Sequence, residues 1–332
     1  FGKIRQISSN VNHAEIYIYD VLTQKPLYRN KIAFTNGALR KTAHALSDVI
    51  YYALLGQKGS FNTKLSFVTV NEEKNGKRKY RLVISDWDGK NQQVIIGSDD
   101  PILSPAWSAD QRKIAYVSFK NNRSDVFVKY VFQNTNPIKL PKFDGIASSP
   151  TWHPDGKSLA LTLSKDGNKD IYLYNFDSKK LKRLTTNIAI DTEANFSPDG
   201  KSIAFTSNRT GQVQVYIKNL ESGKISRATF EGRYNAKPVY SPDGKDLALI
   251  HRVGKDYRLA LLDIASRDLT VLTQNKSDES PYFSPNGGMI IYSTNRDNKG
   301  ILSIISLHNY QTVELMQKEG EVREPSWSNY SN

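Results

Sequence analysis

Short apolar runs alternate with turn residues along most of the chain, and no long helical period interrupts them between about residue 60 and the end. The stretch around residue 200 shows the unit. A short strand ends at Phe196, and Ser197-Pro198-Asp199-Gly200 follows as a tight turn. Proline fixes φ early in such a turn, and glycine accepts the positive φ that a side chain resists. Ser202-Ile203-Ala204-Phe205-Thr206 then reads as a buried strand. Val213-Gln214-Val215-Tyr216-Ile217 alternates as a half-buried one. After a turn at Glu221-Ser222-Gly223-Lys224, Ile225 to Thr229 supplies a fourth strand.

The unit repeats. SPAWSADQRKIAYVSF begins at Ser104, SPTWHPDGKSLALTLS at Ser149, EANFSPDGKSIAFTSN at Glu193, KPVYSPDGKDLALIHR at Lys237 and SPYFSPNGGMIIYSTN at Ser280. The aromatic anchors are Trp107, Trp152, Phe196, Tyr240 and Phe283, spaced by 45, 44, 44 and 43 residues, and Trp327 follows after another 44. A period of this length with four strands per unit predicts a ring of four-stranded sheets, because one small sheet cannot bury both its faces.

After Trp327 the expected second strand is missing. Lys64-Leu65-Ser66-Phe67-Val68-Thr69-Val70 resembles Lys113-Ile114-Ala115-Tyr116-Val117-Ser118 and can supply it from the other end of the domain. The strand ending at Trp327 should therefore pair with one near residue 66. The prediction is an all-β, six-bladed β-propeller over 58–332, closed by its N- and C-terminal strands, with no free sheet edge at the seam.

Residues 1–57 fall outside the period. HAEIYIYD from His13 alternates, a turn follows at Gln24-Lys25-Pro26, and Leu27 to Phe34 completes a hairpin. Leu39, Ala43, Leu46, Ile50 and Ala53 share one helical face, with Asn36 as the expected N-cap and Gly56 as the stop. So small a segment buries little surface. It reads as the carboxy-terminal part of an α/β domain, or as a cap on the ring.

Composition narrows the functional classes. Apolar residues make up 38% of 332, enough for a sizeable core, and no run approaches the eighteen residues of a membrane-spanning helix. The absence of cysteine excludes disulfides, thiolate metal sites and cysteine nucleophiles. The formal charge of +13 raises an anionic partner, such as nucleic acid, a membrane surface or an acidic protein, beside a bland basic surface. Binding of an anionic polymer would fall steeply with salt.

Catalytic constellations are missing from the sequence. His13, His44, His153, His251 and His308 show no zinc spacing. There is no GxSxG nucleophile elbow and no GxxxxGK[ST], although Gly156-Lys157-Ser158 and Gly200-Lys201-Ser202 mimic its tail. Asp110, Asp155, Asp199 and Asp243 recur, with Asn286 in the fifth copy, but as turn residues in separate units. No catalytic residue, metal or cofactor is expected. The aromatic anchors are core residues first and a stacking platform second.

The segment before each anchor is the candidate site. It comprises Leu103-Ser104-Pro105, Ser148-Ser149-Pro150, Thr192-Glu193-Ala194, Ala236-Lys237-Pro238, Glu279-Ser280-Pro281 and Arg323-Glu324-Pro325. Each is expected to carry the chain from the outer strand of one blade to the inner strand of the next, so all six converge on one rim of the channel. Small and polar residues there leave a funnel of mixed charge: Glu193, Glu279 and Glu324 against Lys237 and Arg323. The segments could make tight crossovers only, or a rim that binds a partner.

SPDGKSIAFTSNRTGQVQVYIKNLESGKISRATFEG, AWSADQRKIAYVSF and the terminal EPSWS closely resemble the TolB family, the propeller proteins of the bacterial Tol-Pal envelope system. AHALSDVIYYALLGQKGSFNTKLSFV resembles that family's domain junction. The likeness spans nearly the whole chain, though propellers of prolyl-oligopeptidase relatives use similar repeat phrases. The resemblance implies a periplasmic, non-catalytic protein with an amino-terminal α/β domain. It also implies binding of the peptidoglycan-associated lipoprotein Pal at one propeller face, which some colicins mimic, and a role in outer-membrane integrity and cell division. Other outer-membrane proteins are further implied partners; nucleic acid is not. In that family the amino-terminal extremity contacts TolA, and here the chain is expected to begin inside the first domain, without that segment. Family positions for Pal match Ile146, Ser149, Thr192 and Glu193, with isoleucine at the first where the family often has histidine. The alternative is the gating propeller of a serine-peptidase-like enzyme, which a following hydrolase domain would support.

Overall fold

The computed structural model describes residues 2–120, 123–297, 299–315 and 320–330. Two compact units divide the chain, Phe1–Thr63 and Lys64–Asn332.

In the first unit, strands Gly2–Gln6, Val11–Tyr19 and Pro26–Thr35 form an antiparallel sheet in that order. The hairpin matches the alternation in the sequence. The first strand does not announce itself there, because GKIRQ is exposed throughout and carries no apolar alternation. The helix runs Leu39–Leu55 and stops at Gly56, whose φ of 68° is the left-handed cap. Asn36 is not its N-cap. It opens a short 3-10 turn, Asn36–Ala38, and its side chain accepts from Asn12 Nδ2 at 2.6 Å. The expected apolar face is also not the buried one: Leu39, Ala43 and Ile50 are exposed, while Leu46 and Ala53 are half-buried. Asp48 fixes the exit from the helix by accepting from the backbone N–H of Phe61 at 2.7 Å, and Tyr51 meets the Phe61 ring edge-on at 5.7 Å.

The second unit is a six-bladed β-propeller of four-stranded antiparallel sheets. Blade one comprises Ile102–Trp107, Lys113–Lys120, Arg123–Tyr130 and Ile138–Lys139. Blade two comprises Ala147–Trp152, Ser158–Leu163, Asp170–Asn175 and Leu181–Arg183. Blade three is Asp191–Phe196, Ser202–Ser207, Gln214–Asn219 and Ile225–Arg227. Blade four is Asn235–Tyr240, Asp246–Val253, Asp256–Asp263 and Leu269–Val271. Blade five is Glu279–Phe283, Met289–Arg296, Lys299–Ser306 and Thr312–Leu315. Blade six joins Glu321–Trp327 to Lys64–Glu72, Arg78–Asp86 and Gln93–Ser98.

The seam forms where the sequence puts it. Trp327 pairs with Leu65, Ser326 with Ser66 and Arg323 with Val68. Ser328 N–H donates to the Lys64 carbonyl at 2.8 Å, and Lys64 N–H donates to Ser328 Oγ at 2.9 Å. Trp327 is 1% exposed and packs with Leu65, Phe67, Val83, Ile291 and Leu302, so it also joins blade six to blade five.

Among the described residues the propeller core is not one cluster but six, each filling the gap between neighbouring blades. Val117 and Val128 of blade one meet Trp152 and Leu161 of blade two, and Val68 and Leu82 of blade six meet Ile114 and Tyr116 of blade one. A twisted four-stranded sheet has two apolar faces, and each is covered only by the next sheet. Among the described residues, no helix is long and apolar enough to cross a membrane.

Candidate functional site

The turn after each anchor settles the role of the repeated aspartates. Ser197 Oγ donates to Asp199 Oδ1 at 2.6 Å, Asp199 Oδ1 accepts from the Lys201 backbone at 3.0 Å, and Gly200 N–H returns to the Ser197 carbonyl at 2.9 Å. Ser108 with Asp110, Ser241 with Asp243 and Ser284 with Asn286 repeat the arrangement. The Ser197 hydroxyl and the Lys201 N–H hold the Asp199 carboxyl below its ordinary value. In blade two His153 replaces the serine. Its Nε2 lies 3.2 Å from the Gly200 carbonyl, and its ring meets Phe196 edge-on at 4.8 Å, which ties the turns of blades two and three together.

At the opposite end of the same strands, the six candidate segments are not free crossovers. They lie inside the innermost strands, and each carries a β-bulge. The register slips between Leu103 and Ala106, Ser148 and Thr151, Thr192 and Asn195, Ala236 and Val239, Glu279 and Tyr282, and Arg323 and Ser326. The first bulged residue has positive φ in all six: Ser104 52°, Ser149 49°, Glu193 57°, Lys237 53°, Ser280 51° and Glu324 52°. Side chains resist this region, so six occurrences at one register mark a built feature, in which the bulge re-aims a side chain. The next residue is proline in five blades and Ala194 in the third. Innermost strands expose an unpaired edge to the channel, where a missing N–H costs nothing and a proline blocks further pairing. Proline and small polar residues mimic a loop in the sequence, which is why the bulge is not legible there.

These six residues line a channel cavity of about 670 Å³. Its other end is walled by the six aromatic anchors and by Pro154, Pro198, Pro242 and Pro285. The cavity is thus polar and charged at the mouth and apolar below.

Hydrogen bonds link the ring. Glu193 Oε2 accepts from Thr206 Oγ1 at 2.8 Å and from the Lys237 backbone at 3.2 Å. Lys237 Nζ donates to Ser280 Oγ at 3.2 Å, and the Ser104 N–H donates to the Glu324 carboxylate. Burial raises the Glu324 carboxyl above its ordinary value, against the Ser104 N–H, Lys237 and Arg323, while Glu279 adds repulsion.

The remaining candidates divide by position. Leu103, Ser148, Thr192 and Arg323 are half-buried beside the ring, Glu279 is exposed, and Ala236 is buried with nothing to offer a partner. Ile146 is exposed on the crossover into blade two. Sequence reasoning missed its companions. Ile188, 97% exposed, and Ile190 lie on the crossover into blade three, and exposed Phe230 lies on the crossover into blade four, between the guanidinium groups of Arg227 and Arg267 at 5.0 Å each. The available signal was an isoleucine in a turn-rich stretch with no alternation to bury it. Three successive crossovers on the mouth face therefore expose apolar side chains.

A TolB beta propeller domain matches residues 51–331. The chain belongs to the TolB family. It is 61% identical over 329 residues to the Tol-Pal system protein TolB of Ruthia magnifica subsp. Calyptogena magnifica, covering 99% of this chain and 78% of that one. The TolB of Alcanivorax borkumensis is 46% identical over 311 residues, covering 94% and 71%. The crystal structure of TolB from Acinetobacter baumannii superposes with a TM-score of 0.93 at 39% identity, covering 99% of this chain and 82% of that one. The family resemblance and the six-bladed fold read from the sequence are both borne out.

Proposed function

We propose that this TolB-family chain is a non-catalytic, periplasmic docking component of the Tol-Pal system that binds Pal at the channel mouth and so supports outer-membrane integrity and cell division. One observation carries the reading: six bulged residues at one register project a mixed-charge ring into a channel whose rim exposes Ile146, Ile188 and Ile190. Rim isoleucines supply desolvated anchors, and the ring of Glu193, Lys237 and Glu324 supplies charge and hydrogen-bonding groups that fix orientation. A rigid scaffold that presents its groups in advance lowers the cost of ordering them on binding. Colicins that mimic Pal would use the same face. TolA, and outer-membrane proteins other than Pal, would engage surfaces away from this face.

The test is titration of Pal against the wild type and the Thr192→Ala, Glu193→Ala double variant by calorimetry. A loss of about 2 kcal/mol or more, with unchanged thermal unfolding, supports the face. Unchanged affinity removes it.

A further inference from the structure

Blades three and five differ at one register. In blade three Phe205 pairs with Tyr216, and Arg209 lies over both rings at 5.1 and 4.8 Å. Its Nη2 donates to both oxygens of buried Asp191, at 3.0 and 2.9 Å. The guanidinium plugs the space between blade and crossover. In blade five the corresponding residues are Tyr292 and Ser303, with Asp278 at the position of Asp191 and Arg296 at that of Arg209. A hydroxymethyl group replaces the second ring. Arg296 turns outward, and its Nη1 donates to Glu314 Oε2 at 2.6 Å. A cleft of about 620 Å³ opens at this place, within the range of about 300–1,000 Å³ typical of small-molecule sites.

The walls of this cleft define its ligand. Thr312, Asn275 and Ser303 hydrogen-bond around the Tyr292 hydroxyl and, with Thr294, line the cleft with amide and hydroxyl groups, while Ile301 and Val313 add apolar surface. Thr294 is 6% exposed, and its Oγ1 has no hydrogen-bond partner among the described residues. At the same register Ser207 Oγ accepts from Arg209 Nε at 3.0 Å, and His251 Nδ1 lies 2.9 Å from Asn235 Oδ1. A buried hydroxyl left unpaired is costly, so it marks a place for an incoming polar group. Charge is not what the cleft offers. Asp278 already accepts from Thr273 Oγ1, from the Leu259 N–H at 3.1 Å and from Asn275 Nδ2 at 2.9 Å. Arg296 and Glu314 neutralise each other at the mouth.

We propose that the blade-five cleft binds a neutral, hydroxyl-rich ligand of the saccharide class, with the Thr294 hydroxyl completing its hydrogen bonding to that ligand. Hydroxyl and amide walls can both donate and accept, which matches a sugar better than an ion. The cleft shares no lining residue with the channel, so this site stands or falls apart from the docking of Pal.

The experiment is a titration of the β-1,4-linked disaccharide of N-acetylglucosamine into the isotope-labelled chain, followed by amide chemical shifts. Saturable shifts confined to 272–275, 294–296, 301–303 and 312–314 are expected, with a Kd on the order of 1 mM. Ser303→Tyr, which restores the ring of blade three, should weaken binding roughly tenfold or more at unchanged Tm. Thr294→Val should weaken it as well and serves if the tyrosine variant does not fold. Absence of saturable shifts, equal shifts with glycerol, or shifts with free arginine but not the disaccharide would overturn the proposal.

Discussion

Glu324 sits where its charge is least welcome, on a bulge inside the channel. Its carboxyl is raised in the fold, so the folded state binds that proton more tightly than the unfolded chain does. The stability this contributes is fully present below the unfolded pKa and is lost as pH rises through the raised value. Glu324→Gln keeps an oxygen to accept the Ser104 N–H and removes the titration. The variant should therefore gain Tm relative to the wild type as pH climbs from 4 toward neutrality, which thermal unfolding across that series measures. Equal shifts at every pH would show that the Glu324 carboxyl binds its proton no more tightly in the fold than in the unfolded chain. Gly200 tests the turn chemistry. Its φ is 70°, and an added Cβ would stand 2.7 Å from His153 Nε2. Gly200→Ala should cost about 1–2 kcal/mol in denaturant unfolding. Ser149→Gly runs the other way: it relieves the positive φ and removes a ring hydroxyl, so it should hold or raise stability by up to about 1 kcal/mol while weakening Pal. Residues of this kind were only partly legible in the sequence. Ser197-Pro198-Asp199-Gly200 spells its turn, whereas Ser149-Pro150 and Glu193-Ala194 spell a loop and form a bulged strand, because the bulge is set by the neighbouring strand's register.

At the scale of elements, the blades follow from the spacing of the aromatic anchors, and the seam follows from the likeness of Leu65-Ser66-Phe67 to Ile114-Ala115-Tyr116. Local pattern sufficed because each blade is antiparallel and joined by short turns. It failed for Gly2–Gln6, a strand with no buried side chain, and for the Leu39–Leu55 helix, whose periodicity could not say which side packs on the neighbouring strand. The blade-five cleft was not legible either. It arises from the difference between Tyr216 and Ser303, two residues that become equivalent only once the register is known. The seam carries a sharp prediction. Trp327→Ala empties a site shared by blades five and six and should cost about 3–5 kcal/mol. Limited proteolysis should then cut near the seam first, in the 321–330 or 64–72 segments. Cleavage spread evenly over all blades would mean that the seam is no more decisive than any other sheet.

For the whole molecule, closure and function share one design. Six inter-blade cores hold six innermost strands around a channel, and each strand's bulge turns one side chain into the mouth. The two ends of the channel differ: a mixed-charge ring with exposed isoleucines at one, hydrogen-bonded Ser-Asp turns and aromatic anchors at the other. Pal is proposed to dock at the first end. Hydrogen–deuterium exchange with and without Pal tests it most directly. Protection is expected at 146–149, 188–193 and 230–237, with the turns at 108–113, 153–158 and 197–202 unchanged. Protection of those turns, with the mouth segments unaffected, would contradict it.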